Sequence, residues 1–144
     1  MSSTRTRASR PIGADPTSTA LLLAGPTAVE LWPGLRRLGE VGGRVLVELD
    51  RPTPTAASVT ARPPRRTPTA YVTRFGWTGP DLPVTEGVLT LTYAPGDATP
   101  STRAELVLDS EDVALSRLDE AALAQMAEQF LANLARAAES RRAA

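Results

Sequence analysis

LDEAALAQMAEQFLANLARAAESRR, residues 118–142, lies in the longest stretch of the chain without proline or glycine. Leu123, Met126, Phe130 and Leu134 recur in it at spacings of three and four, and Ala127, Leu131, Ala137 and Ala138 widen the same apolar face. Ser116 to Asp119 reads as a capping-box variant, with acidic residues at the positive end of the helix dipole and Arg136, Arg141 and Arg142 crowding the negative end. The spacing therefore predicts one uninterrupted helix over 118–142, about 35 Å long. A stripe this wide needs an apolar surface to lie on.

That surface is found upstream. From Gly34 to Asp109 the chain runs in threonine- and valine-rich segments separated by proline and glycine, the pattern of strands joined by turns. RVLVELD alternates Val45, Val47 and Leu49 against Arg44, Glu48 and Asp50, as a half-buried antiparallel strand does. Gly42-Gly43 pairs it in a hairpin with LRRLGE. AASVTAR forms a weaker strand. In TPTAYVTRFGWTG the odd positions Tyr71, Thr73, Phe75 and Trp77 share a face. GVLTLTYAPG groups Leu89, Leu91 and Tyr93, and TRAELVLD groups Ala104, Leu106 and Leu108. Five or six antiparallel strands are expected here. RPTPTAAS and ARPPRRTPT read as loops near hairpin ends, and FGWTGPDLP as a hairpin loop, since it lacks the strand–GxGxxG–helix setting of a phosphate cradle.

Before the strands, residues 1–12 are polar and arginine-rich, either a frayed tail or a first edge strand over Thr4 to Ser9. Asp15-Pro16 offers an N-cap with proline at the first helical position, opening a short helix that Gly25-Pro26 ends. TAVELW forms a second short helix, stopped by Pro33-Gly34. The apolar core from Ala20 to Ala24 is too short for a secretory signal, and no stretch approaches the roughly 20 apolar residues of a membrane span. A soluble, cytoplasmic protein is expected.

Composition narrows the chemistry. The chain has 144 residues, the size of one domain, 1–144. Its sixteen basic residues, all arginine, balance sixteen acidic ones, so no net field draws it to nucleic acid or to an anionic membrane. Prolines interleave the arginines of ARPPRR and no aromatic stands beside them, the mark of a solvated loop rather than a nucleic-acid patch. With no cysteine and no histidine, thiolate nucleophiles, hydrolytic triads and the usual zinc ligand sets are ruled out. No carboxylate cluster points to a metal, and no cofactor is implied. Glu48, Asp81 and Glu86 near strand ends read as surface acids.

The order of strand, two short helices, a run of antiparallel strands and one long closing helix resembles the helix-grip fold of the START-like, or SRPBCC, superfamily. That superfamily includes polyketide cyclases and aromatases, pollen-allergen-like plant proteins and a family of small proteins associated with carbon monoxide dehydrogenase. Pro33-Gly34 after the second short helix and MAEQFLANLARAAE, residues 126–139, carry the likeness, which spans nearly the whole chain. It implies an α+β fold in which a curved antiparallel sheet wraps around the C-terminal helix. It also implies a cavity between them for a hydrophobic small molecule.

On that fold the cavity lining would be Tyr71, Phe75, Trp77, Leu89, Leu91, Tyr93, Leu106 and Leu108 from the sheet, with Met126 and Phe130 from the helix. Methionine and aromatic side chains suit an adaptable apolar pocket, and tyrosine hydroxyls can orient a guest. The same residues also read as plain core. Alternation sends Arg74 to the solvent face, unless a bulge at Gly76 turns it inward. Arg62 carries the same ambiguity. Three functions follow: a carrier, sensor or regulatory protein for a hydrophobic ligand; an aromatase/cyclase-like enzyme in which Tyr71, Tyr93 and Arg74 steer ring closure; or an assembly module that meets a protein partner or a second copy of itself.

Overall fold

The computed structural model describes residues 4–23, 30–42, 44–49, 55–61, 64–78, 86–93, 101–110 and 117–143. Strand β1 (Thr4–Ile12) leads into helix α1 (Pro16–Leu21). Strands β2 (Leu35–Val41), β3 (Arg44–Leu49), β4 (Thr55–Ala61), β5 (Arg65–Arg66), β6 (Ala70–Thr78), β7 (Glu86–Tyr93) and β8 (Thr102–Ser110) follow. Helix α2 (Arg117–Ala143) closes the order. The strands form one curved antiparallel sheet in the order β1-β8-β7-β6-β4-β3-β2, with β5 paired to β6. Apart from β1, this is a meander, and β1 closes the row by pairing with β8 from Thr4 opposite Ser110 to Ile12 opposite Thr102.

Alternation fixes the inner face. Val45 and Val47, Ala57 and Val59, Phe75 and Trp77, Leu89 and Leu91, and Ala104, Leu106 and Leu108 are buried. Between them point charged and polar residues such as Arg44, Thr60, Arg74, Arg103 and Glu105, all exposed. The register sets these apolar side chains in rungs, Thr73 opposite Leu89 and Leu89 opposite Leu106, then Tyr71 opposite Leu91 and Leu91 opposite Ala104. Helix α2 lies on this face, chiefly against β1 and β8. Leu123, Ala127, Phe130, Leu131, Leu134, Ala135 and Ala138 are its buried stripe. Met126 and Ala137 are only half-buried; the stripe is rotated slightly from the expected one and takes in Ala135 instead. At 27 residues the helix is about 40 Å long, enough to cross the sheet.

Several expectations are corrected. Residues 4–12 are a full edge strand, longer than Thr4 to Ser9, because β8 offers them a partner along their whole length. From Gly34 to Asp109 the sheet has seven strands, β2–β8, rather than five or six. The added short strand is Arg65–Arg66, which had read as loop. It pairs with Val72 and Tyr71 across a turn in which Thr67 hydrogen-bonds Ala70 through both its backbone N–H and its hydroxyl. The second short helix falls mostly outside the described residues, of which Glu30 and Leu31 make a 3-10 turn. The 79–85 loop, Arg62 and the Ser116 cap also lie outside them.

Candidate functional site

Strand β6 carries the site because its inner face changes character along its length. Tyr71 is half-buried, Thr73 is a buried hydroxyl, and Phe75 and Trp77 are buried rings. Trp32 reaches the same place from the segment before β2. Its ring stacks on Phe130 of α2 at 4.1 Å between centroids and meets Trp77 and Phe75 edge-on at 4.9 and 5.5 Å. Both tryptophans and both phenylalanines of the chain thus form one cluster between sheet and helix. Asn133 positions Trp32: its side-chain amide donates to the Leu31 carbonyl at 2.8 Å and its carbonyl accepts from Gln129 one turn earlier. Sequence reasoning missed this pair, although an asparagine between Phe130 and Leu134 on an apolar stripe is a signal that a backbone group waits opposite it.

Two rungs from Phe75 along β6, at Tyr71, the surface opens. A recess of about 60 Å³ is lined by Pro16 and Thr17 of α1, Arg66 of β5, Tyr71 of β6, and Leu91 and Tyr93 of β7, among others. The hydroxyls of Thr17 and Tyr71 are hydrogen-bonded at 3.0 Å, which fastens α1 to the sheet at the recess wall. Helix α1 is itself held by the Asp15 carboxylate, which accepts from the Ser18 N–H at 2.6 Å. That bond lowers the Asp15 pKa below its usual value. The buried Thr102 hydroxyl donates to the Ala14 carbonyl at 2.6 Å and anchors the junction of β1 and α1 to β8.

No family model matches the sequence, and no curated protein matches it. Solved structures do. A conserved protein from Geobacillus kaustophilus superposes with a TM-score of 0.64 at 11% identity, over 95% of this chain and 96% of that one. The Zhui aromatase/cyclase from Streptomyces sp. R1128 does so at 0.57 and 17%, over 97% and 96%. Ara h 8.0201 does so at 0.57 and 10%, over 96% and 99%.

The chain has the helix-grip fold.

Within the helix grip, the expected lining residues divide into two groups. Phe75, Trp77, Leu89, Leu91, Leu106 and Leu108 are buried in one core with Phe130, Leu91 also lining the recess, while Met126 packs half-buried against that core. Tyr71 and Tyr93 stand apart at the recess, and Tyr93 is 63% exposed. The phenol oxygen explains the division, since a buried tyrosine needs a partner and a rim tyrosine has water. Arg74 is exposed on the outer face and Gly76 makes no bulge, as Phe75 and Gly76 pair in regular succession with Gly87 and Glu86.

Proposed function

We propose that this helix-grip protein holds a small hydrophobic molecule between sheet and helix, as a carrier, sensor or regulatory protein, and that the recess beside α1 is the entrance. The observation behind this reading is that the recess wall includes Tyr71 and Leu91, whose strands run inward from there to buried Thr73 opposite Leu89 and then to buried Phe75. Ligand pockets generally run to about 300 Å³ or more. A recess of about 60 Å³ takes one end of such a molecule. Entry of the rest requires α1 to part from β6, and the Thr17–Tyr71 bond is the one that breaks. Residence in the cytoplasm is part of the same proposal.

Binding is preferred to turnover. The groups at the recess that can pass a proton are the hydroxyls of Thr17, Thr67, Thr69, Tyr71 and Tyr93, and Arg74 is on the wrong face to steer a reacting chain. A second reading, assembly through a protein partner or homodimer, draws on the exposed Leu38, Val41 and Leu46 of the β2–β3 hairpin at the sheet edge.

N-phenyl-1-naphthylamine, a neutral dye that brightens in apolar surroundings, tests the entrance. Saturable one-to-one binding is expected, and Thr69→Trp, which adds a large ring at an exposed lining position, should abolish it without changing thermal unfolding. Absent brightening, or brightening indifferent to Thr69→Trp, contradicts the reading.

A further inference from the structure

Two polar atoms interrupt the apolar interior without a partner, Trp32 Nε1 and Thr73 Oγ1. Their residues are 2% and 1% exposed. Such burial costs free energy that phenylalanine at 32 or valine at 73 would not incur. Two other buried atoms lack partners, Arg37 Nε and Ser101 Oγ, but both belong to half-buried residues outside the aromatic cluster.

The register shows where the interior pair lies. Thr73 is opposite Leu89, one rung inward from Tyr71 and Leu91 at the recess and one rung short of Phe75 opposite Gly87. Rungs are about 7 Å apart. Trp32 meets Phe75 edge-on at the following rung. Thr73 therefore stands at the step from recess to aromatic cluster and Trp32 within that cluster, in the order in which a ligand entering beside α1 would meet them.

We propose that Trp32 Nε1 and Thr73 Oγ1 form the polar anchor of the ligand site, and that the ligand is a flat, mainly apolar molecule bearing a hydrogen-bond acceptor such as a ketone or ester carbonyl. The inference rests on the binding reading above. An acceptor is required because an indole N–H only donates, whereas the threonine hydroxyl can adapt to whichever group the ligand presents. Flatness follows from the packing, since the rings of Trp32, Phe75, Trp77 and Phe130 already lie against one another and a guest that inserts among them has to be thin, as a flat ring system is.

A matched pair of probes tests it: α-tetralone, a bicyclic ring with a carbonyl, and tetralin, the same ring system without one. With nitrogen-15 in the indoles, the two tryptophans give two resolvable N–H signals. The expected result is that tetralone binds about tenfold more tightly than tetralin, the worth of one good hydrogen bond. It should also move the Trp32 signal and slow its hydrogen exchange. Thr73→Val should narrow the preference and raise the melting temperature of the free protein, because a lone buried hydroxyl is gone. Equal affinities with an unmoved Trp32 signal overturn the anchor and leave the binding reading standing. A preference for tetralone that survives Thr73→Val with Trp32 unmoved also overturns the anchor. Failure of both probes to bind, together with failure of N-phenyl-1-naphthylamine, overturns the anchor and the reading beneath it.

Discussion

At Gly87 strand β7 has no side chain because Trp77 occupies the place. A Cβ built there would stand 3.1 Å from the Trp77 ring and 3.1 Å from Leu108 Cδ2. Trp77 cannot swing away freely, being wedged against Trp32 and Phe75. Gly87→Ala is therefore expected to destabilise the fold by about 1–3 kcal/mol through overpacking, read as a lower urea midpoint with an unchanged slope. A stabilised variant would mean that Trp77 is not packed over the strand. Trp32 was the least legible residue of the site, since its position depends on a hydrogen bond between Asn133 and Leu31, 102 residues apart in sequence. Period and parity describe a residue's own element, and they say nothing about which distant backbone group an asparagine will find. Parity did place Phe75, Trp77, Leu89 and Leu106 on one face. It could not tell that Tyr93, on the same parity, is at the rim, because that depends on where the neighbouring layer stops.

Elements announced themselves where their chemistry was local. Asp15-Pro16 predicted the start of α1, and the structure has Asp15 as N-cap and proline in the first turn. The carboxylate accepts the Ser18 N–H, so Asp15→Ala should cost about 0.5–2 kcal/mol, while Asp15→Asn should cost little at neutral pH. The pH dependence has a definite sign. The folded-state pKa of Asp15 lies below the ordinary 3.8, so its contribution is full above pH 3.8 and is lost as pH falls through the lower folded value. Wild type should thus lose its small advantage over Asp15→Asn under acid, and an advantage that grows on acidification would contradict the assigned bond. Strand β5 was illegible for the opposite reason. Two arginines between prolines have no strand pattern of their own, and they pair only because the Thr67–Ala70 turn folds them back on β6.

For the whole molecule, one long amphipathic helix and a meander of alternating strands left few ways to bury both apolar faces, and the helix grip is the arrangement found. Fold was therefore readable from pattern. The recess and the aromatic cluster were less so, because the one depends on α1, β5, β6 and β7 meeting and the other on a tryptophan delivered from outside the sheet. The central claim is that this interior receives a small molecule. Native mass spectrometry on protein purified gently from its own cells, compared with the denatured mass, tests that claim most directly. The account predicts a releasable small-molecule mass on the monomer, lost in Thr69→Trp. A bare monomer, or a dimer carrying nothing but protein, would contradict it, and the dimer would turn attention to Leu38, Val41 and Leu46 at the free edge of the sheet.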